Sequence, residues 1–418
     1  MEMYENTQQQ QRALLVGIDT GDYDAESSMQ ELYELVESAG AEPVASIMQK
    51  RDKPDGATCI GSGRLEEIKE FCQTNEIDFI VFDTELTPTQ IRNIENETDT
   101  RTIDRTMLIL DIFAIRARTN EGKLQVELAQ LKYLMPRLSG KGKEMSRLGG
   151  GVGTRGPGET KLETDKRHIR RKIEYLKKEL EHMTNRREQL RARRRKDGII
   201  TVAIVGYTNA GKSTLMNTLT QAGVLSENKL FATLDPTSRA LQLPCGVSVM
   251  MIDTVGLVRR LPHHLVEAFK STLEEAALAD IILNVCDASS EEYRLHLSVT
   301  ENLLHELGCV NRPVITVFNK CDLVGNPDDL PADKYSVRIS AKNGIGTDEL
   351  LRAVENSLPV RLRRYSLLIP FDKASVVAVL RKSGSLQSED YTADGIRVQA
   401  VVEEPLWHLA DEYSVNDE

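Results

Sequence analysis

The residues with the most definite chemistry stand in one octet, Gly206-Tyr207-Thr208-Asn209-Ala210-Gly211-Lys212-Ser213. Two glycines separated by four residues and followed by Lys-Ser let backbone N–H groups close around a β-phosphate. The Lys212 ammonium then reaches the β- and γ-oxygens and the Ser213 hydroxyl can ligate Mg²⁺. Asp253-Thr254-Val255-Gly256 ends the apolar run from Met250. A carboxylate there can hold Mg²⁺ through water, and a glycine N–H can meet the γ-phosphate. Asn319-Lys320-Cys321-Asp322 follows the apolar run Val314 to Phe318. A carboxylate at Asp322 accepts from both N1–H and the exocyclic amine of guanine, a donor pair that adenine lacks, so the motif selects guanine. Ser340-Ala341-Lys342, after the strand-like Tyr335 to Ile339, supplies a last base-contacting loop. Together the four motifs describe a GTP-binding domain over residues 198–358, with Lys212 and Gly256 beside the reacting phosphate.

These motifs need strands that end on them and helices that start from them. Ile200 to Val205 reads as the buried strand and Thr214 to Thr220 as the helix on either side of the octet. Upstream, residues 1–117 alternate strand and helix signals. Ala13 to Ile18 is a strand; Met29, Leu32, Tyr33, Leu35 and Val36 form a helix face ended by Gly40; Pro43 to Met48 and Ile77 to Phe82 are further strands around a helix at Leu65 to Gln73. That alternation predicts a small parallel sheet with helices on its faces. Gly61-Ser62-Gly63-Arg64 opens the second helix, either as an anion site or as a plain turn.

Residues 118–197 change period. Leu124, Leu128, Leu131, Leu134 or Met135, and Leu138 form one seam; Ile169, Ile173, Leu176, Leu180 and Met183 form another. Each seam is too narrow to be a core helix alone, which predicts an antiparallel hairpin whose second helix, Leu162 to Arg195, would be about 50 Å long. Between them lies a tip loop, residues 139–162, with Lys141, Lys143, Arg147, Gly149, Gly150, Gly151, Arg155 and Lys161. Glycines let the backbone approach phosphates and the cations pair with them, which makes these the candidate RNA contacts; the alternative is a solvated basic face with a loose tip. Residues 359–418 read as a small α+β domain: a strand from Tyr365 to Phe371, a helix from Ala374 to Lys382, a loop from Gly384 to Asp394 and a strand from Gly395 to Val402. Trp407 is read as a core cap. The fold class is therefore multidomain α/β.

The net charge of −11, from 53 basic and 64 acidic residues, argues on its face against nucleic acid. Its distribution reverses that. From Arg137 to Asp197 there are 20 Lys/Arg against nine Asp/Glu, so an acidic body carries a basic arm. No apolar run spans a bilayer and the polar N-terminus lacks an apolar signal core, which predicts a cytoplasmic protein. Six cysteines without C-x-x-C spacing read as buried free thiols.

The run from Arg147 through Gly-Gly-Gly-Val-Gly-Thr-Arg-Gly-Pro-Gly to Arg167, leading into Gly-Tyr-Thr-Asn-Ala-Gly-Lys-Ser, resembles the HflX family within the translation-factor-related class of GTPases. Phe231-Ala232-Thr233-Leu234-Asp235-Pro236-Thr237 and Asp253-Thr254-Val255-Gly256 are similar to that family as well, and the resemblance covers most of the chain. It implies a monomeric GTPase that binds GTP and GDP, docks on the large ribosomal subunit and ribosomal RNA, and with GTP splits stalled or idle 70S ribosomes under stress. It also implies that Phe231 to Asp235 joins the nucleotide site, with Thr233 on Mg²⁺ beside Ser213 and Asp253; Thr237 in the same segment and Thr208 close to the phosphates are the alternative hydroxyls. Where Ras-like switches carry a water-orienting glutamine, this chain has Leu257, which predicts slow hydrolysis alone and stimulation by the ribosome. Asn209 is a candidate K⁺ ligand or a turn-stabilising residue. His263 and His264 read as a polar loop and not as a base. A GTP-switched partner of an RNA-modifying enzyme and a protein scaffold remain as alternatives, the first lacking a visible catalytic cysteine or cofactor fold.

Overall fold

The computed structural model describes residues 10–138, 157–196, 199–220, 230–231, 233–260, 275–309, 312–331, 335–359, 362–382 and 386–415. The chain divides into two compact units, Met1–Leu190 with Glu227–Asp235 and Val255–Thr272, and Arg191–Ser226 with Pro236–Thr254 and Leu273–Glu418.

In the first unit, β1 (Arg12–Asp19), β2 (Glu42–Lys50), β3 (Phe79–Phe82) and β4 (Arg101–Asp104) form a parallel sheet in the order β2-β1-β3-β4. β1 and β3 are near-continuous apolar runs, as a parallel strand covered on both faces requires. Helices α1 (Ala25–Ser38), α2 (Ser62–Thr74) and α3 (Pro88–Thr98) connect them, and α4 (Arg105–Arg116) follows β4. One core packs Leu14, Val16, Ile18, Ile60, Ile68, Ile80, Phe82 and Ile94. The winding reverses between β1 and β3, which opens a crevice at the strands' carboxyl ends. At α2, the Gly61 N–H donates to Gln49 Oε1 at 2.9 Å.

Helix α5 (Asn120–Arg137) and the 40-residue α6 (Pro157–Lys196), about 60 Å long, meet along the anticipated seams. Leu124, Leu128, Leu131 and Met135 pack on Ile169, Ile173, Leu176 and Leu180. Met135 takes the seam position, while Leu134 is exposed. Ion pairs Arg187–Glu121 and Lys172–Glu127 run in opposite chain directions, so the pair is antiparallel. The narrow-stripe expectation needs correction for α5. It also packs against α4 and buries Val126, Ala129 and Tyr133, with the Arg137 guanidinium 3.4 Å over the Tyr133 ring. Lys141, Lys143, Arg147, Gly149, Gly150, Gly151 and Arg155 lie outside the described residues, as does the Lys161 side chain.

In the second unit, six strands run β10-β9-β8-β5-β7-β6: β5 (Ile200–Gly206), β6 (Thr237–Gln242), β7 (Ser248–Asp253), β8 (Ile281–Asp287), β9 (Val314–Asn319) and β10 (Ser336–Arg338). Only β6, paired to β7, is antiparallel. Helices α7 (Lys212–Thr220), α8 (Tyr293–Glu306) and α9 (Thr347–Asn356) pack on this sheet, whose core includes Val202, Ile204, Leu283, Ile315 and Leu350. Beyond it, β11 (Leu362–Ile369), β12 (Leu386–Thr392) and β13 (Gly395–Glu403) form an antiparallel sheet β11-β13-β12 with α10 (Ala374–Lys382) and α11 (Trp407–Asp411). β12 corrects the expected loop at 384–394. It is an edge strand that is polar after Leu386, with Ser388 and Asp390 exposed, so it lacks the apolar alternation that marks a half-buried strand. Trp407 packs on this small core and its Nε1 donates to Val402 O at 2.8 Å.

Candidate functional site

Each motif starts at the carboxyl end of a strand of the second unit: Gly206 ends β5, Asp253 ends β7, Asn319 ends β9, and Ser340 follows β10. Parallel strands side by side therefore deliver the four loops to one sheet edge, where α/β sheets place their ligands.

The glycines of the octet are needed for contact. Gly206 adopts φ +150° against the Val285 carbonyl, and Gly211 adopts φ +90° where any Cβ would strike the Asn319 amide. Asn209 also lies in the left-handed region, at φ +58°, which asparagine tolerates in turns. Lys212 is buried, and its Nζ donates to Gly206 O at 3.0 Å and Tyr207 O at 2.7 Å. The ammonium thus folds back along its own loop. Desolvation lowers its pKa to about 8, opposed by the Asp253 carboxylate. A phosphate brought beside it should restore the proton, so nucleotide binding at pH 8 is expected to take up about half a proton. Calorimetry in buffers of different ionisation enthalpy measures this; no uptake would mean that Lys212 is already protonated in the free protein or does not meet a phosphate.

Ser213 Oγ donates to Asp253 Oδ2 at 2.7 Å. A hydroxyl and one carboxylate converging in this way suit Mg²⁺, which takes hard oxygen ligands and keeps waters and phosphates for the remainder. Among the described residues no cluster of three or more His, Cys, Asp or Glu could hold a metal by itself. Thr254 Oγ1 donates to Ile204 O at 2.7 Å, tying the end of β7 to β5. Thr208 Oγ1 is buried with no hydrogen-bond partner among the described residues.

On the base side the structure separates presenting from positioning residues. Asn319 spends both ends of its amide on the protein: Nδ2 donates to Ala210 O at 2.8 Å and Oδ1 accepts from Ala341 N at 2.9 Å. Lys320, at φ +61°, gives its Nζ to Asp287 Oδ2 at 2.6 Å. The Cys321 thiol lies 3.1 Å from Phe318 O. Asp322, by contrast, is exposed. The Ser340 hydroxyl, its own backbone N–H and the Lys342 charge hold its carboxyl below the usual range, so it is ionised at neutral pH.

Three contributors escaped the sequence reading. His296 of α8 stacks on Tyr207 with ring centroids 3.9 Å apart, Asp287 receives Lys320, and Thr218 Oγ1 donates to Ala341 O at 2.7 Å. Asp287 closes strand β8, and a strand-end carboxylate beside three other strand-end motifs was a usable signal; His296 offered none. All six cysteines are free, and burial raises their pKa values, Cys286 to about 12.

Phe231, Thr233, Leu234, Asp235, Val255, Gly256 and Leu257 fall in the first unit. Phe231 meets Phe113 edge-on at 4.7 Å. Asp235 Oδ2 accepts from the backbone N–H groups of Arg118 at 2.8 Å and Thr119 at 2.9 Å, and Oδ1 from the Thr119 hydroxyl. Leu257 is buried. Ala232, His263 and His264 lie outside the described residues.

Comparison with known proteins agrees with this architecture. Family models described as GTP-binding GTPase N-terminal, GTP-binding GTPase Middle Region and 50S ribosome-binding GTPase match residues 26–114, 116–194 and 201–320. The chain is 49% identical over 415 residues to GTPase HflX of Lacrimispora saccharolytica, covering 98% of both chains. It is 49% identical to GTPase HflX of Caldanaerobacter subterraneus, covering 96% of this chain and 93% of that one, and 39% identical to GTPase HflX of Escherichia coli, covering 94% and 93%. With a four-motif nucleotide edge, a helical middle region and relatives matched nearly end to end, the chain belongs to the HflX family of GTPases.

Proposed function

We propose that this GTPase binds the large ribosomal subunit in its GTP form, dissociates stalled or idle 70S ribosomes in the cytoplasm, and hydrolyses GTP slowly until the ribosome stimulates it. The observation that carries the reading is α6. It has 15 Lys/Arg against seven Asp/Glu on a chain of net charge −11, with Arg167, Arg170, Arg171, Lys177, Lys178 and Arg186 exposed along it. A long cationic helix is suited to phosphate backbones, while the acidic remainder of the chain repels RNA elsewhere. The family model for residues 201–320, described as a 50S ribosome-binding GTPase, supports the same partner.

In this reading Gly206 to Ser213 hold the phosphates, Ser213, Thr233 and Asp253 surround Mg²⁺, and Gly256 meets the γ-phosphate. Mg²⁺ when bound neutralises charge on the β- and γ-phosphates. Lys212 shares that task from the protein side, and Asp322 reads guanine. A buried leucine at 257 has no hydrogen bond to offer a water, so hydrolysis is slow until the ribosome, a group in trans or a cation accelerates it. The arm, residues 118–197 with its tip, carries the RNA contacts.

Sucrose-gradient sedimentation of 70S ribosomes with the protein and GTP, a non-hydrolysable analogue or GDP tests this. Free subunits with protein on the 50S fraction are expected with GTP and the analogue, and intact 70S with GDP. Intact 70S throughout, with no protein on 50S, would overturn it. Binding that does not weaken as salt rises would favour a protein-binding scaffold instead.

A further inference from the structure

The carboxyl-edge crevice of the N-terminal sheet is where a doubly wound sheet takes its ligand. Here a charge cluster fills it. Asp83, directly after β3, and Glu31 of α1 are buried with Arg105, which reaches both: Arg105 Nη1 donates to Asp83 Oδ1 at 2.8 Å and Nη2 to Glu31. Two arginines from just beyond Gly256 complete it. Arg259 Nε lies 3.4 Å from Glu31 Oε2, and its guanidinium also donates to Ser27 Oγ. Arg260 reaches Asp83 twice, Nη1 to Oδ2 at 3.2 Å and Nη2 to the backbone oxygen at 3.2 Å, with its guanidinium 4.3 Å over the Tyr23 ring. Ser28 Oγ donates to Asp83 Oδ2 at 2.6 Å.

A second observation is independent of these contacts. Arg260 holds φ +50°, a region that long side chains avoid unless the surroundings over-determine it. Val255, Leu257 and Val258 are buried in the same short stretch. Residues 255–260 are thus fixed from both ends, by apolar burial at one and by a forked ion-pair cluster at the other.

We propose that Asp83 and Glu31 are positioning residues for GTP hydrolysis, which hold Arg259 and Arg260 and thereby set where Gly256 and Leu257 stand. Neither touches the nucleotide. They act through a chain of three residues, since Gly256 and Arg259 are that close in sequence. The forked guanidinium geometry is what transmits position, so lysine should replace these arginines poorly. The inference rests on GTP hydrolysis by this chain, and wild-type turnover in the same assay separates failure of that premise from failure of the proposal.

The test uses the full chain carrying R259Q and R260Q, which leaves the Arg105 pairs with Asp83 and Glu31 in place and so preserves the N-terminal core. Single-turnover GTP hydrolysis is expected to fall at least about tenfold, because small misplacements at a reacting centre are amplified in rate. The GDP dissociation constant should stay within about twofold, as GDP has no γ-phosphate for Gly256 to meet. R260K should recover only part of the rate. D83N combined with R260Q should cost less than the sum of the two single effects, since both remove the Asp83–Arg260 ion pair. An unchanged or faster rate in the double variant would overturn the proposal, as would a parallel loss of GDP affinity, which would mark general damage.

Discussion

Asp322→Asn is expected to lower GTP affinity by a factor on the order of 10² to 10⁴ and to admit xanthosine triphosphate in its place. The wild-type carboxylate is exposed and kept ionised by the Ser340 hydroxyl and the Lys342 charge, so it has only acceptors to offer. Guanine presents two donors on the facing edge, N1–H and the exocyclic amine. An asparagine keeps one acceptor and adds a donor, which opposes the amine but matches the carbonyl that xanthine carries at that carbon. Because Ser340, Asn319 and the phosphate loop are untouched, the change should reach the base and not the phosphates. Fluorescent nucleotide titration measures both arms. An asparagine variant that still prefers GTP to the xanthine nucleotide would remove Asp322 from base recognition.

Shortening Gly149 to Gly158 is expected to reduce 70S dissociation to the level seen without protein, while GTP affinity stays within about twofold. None of these ten residues belongs to a nucleotide motif. Six of them are glycines, flanked by Arg147, Lys161 and, within the run, Arg155. Glycines that admit a backbone to a phosphate surface cannot be replaced by reach alone, so the loss should persist when the same length is refilled with alanine. Charge-reversal of the exposed α6 residues Arg170 and Arg171 should behave differently: weaker binding, with the salt dependence falling by about one power per lost phosphate contact. Sedimentation at two salt concentrations distinguishes them. Retained splitting by the shortened chain would confine the tip to a connecting role.

The strand ends that carry the motifs were legible because each is a short apolar run stopped by chemically distinct residues. Gly206, Asp253 and Asn319 all stand as read, on β5, β7 and β9. The hairpin was legible from period alone. What period could not show was the second buried face of α5, since Val126, Ala129 and Tyr133 fall between the seam positions and gain a partner only once α4 is placed. Helix α3 was missed although Thr87-Pro88-Thr89-Gln90 spells a capping box with proline in the first turn, and the structure makes both of its hydrogen bonds. β12 was unreadable for a physical reason. An edge strand owes its place to backbone pairing with β13, which leaves no pattern in its side chains. Arg259 and Arg260 look like any basic pair following a switch motif; their meaning depends on Asp83 and Glu31, more than 170 residues earlier.

The two hydrogen bonds of Asn319 have a consequence for the order of synthesis. One reaches back 109 residues to Ala210 and the other forward 22 to Ala341. A growing chain holds the phosphate octet long before it holds the amide that fastens it. The basic helices, encoded ahead of the octet, are free to coil as soon as they emerge. The loops that Asn319 joins are therefore completed only when residue 341 is in place, well after both helices of the hairpin have been made.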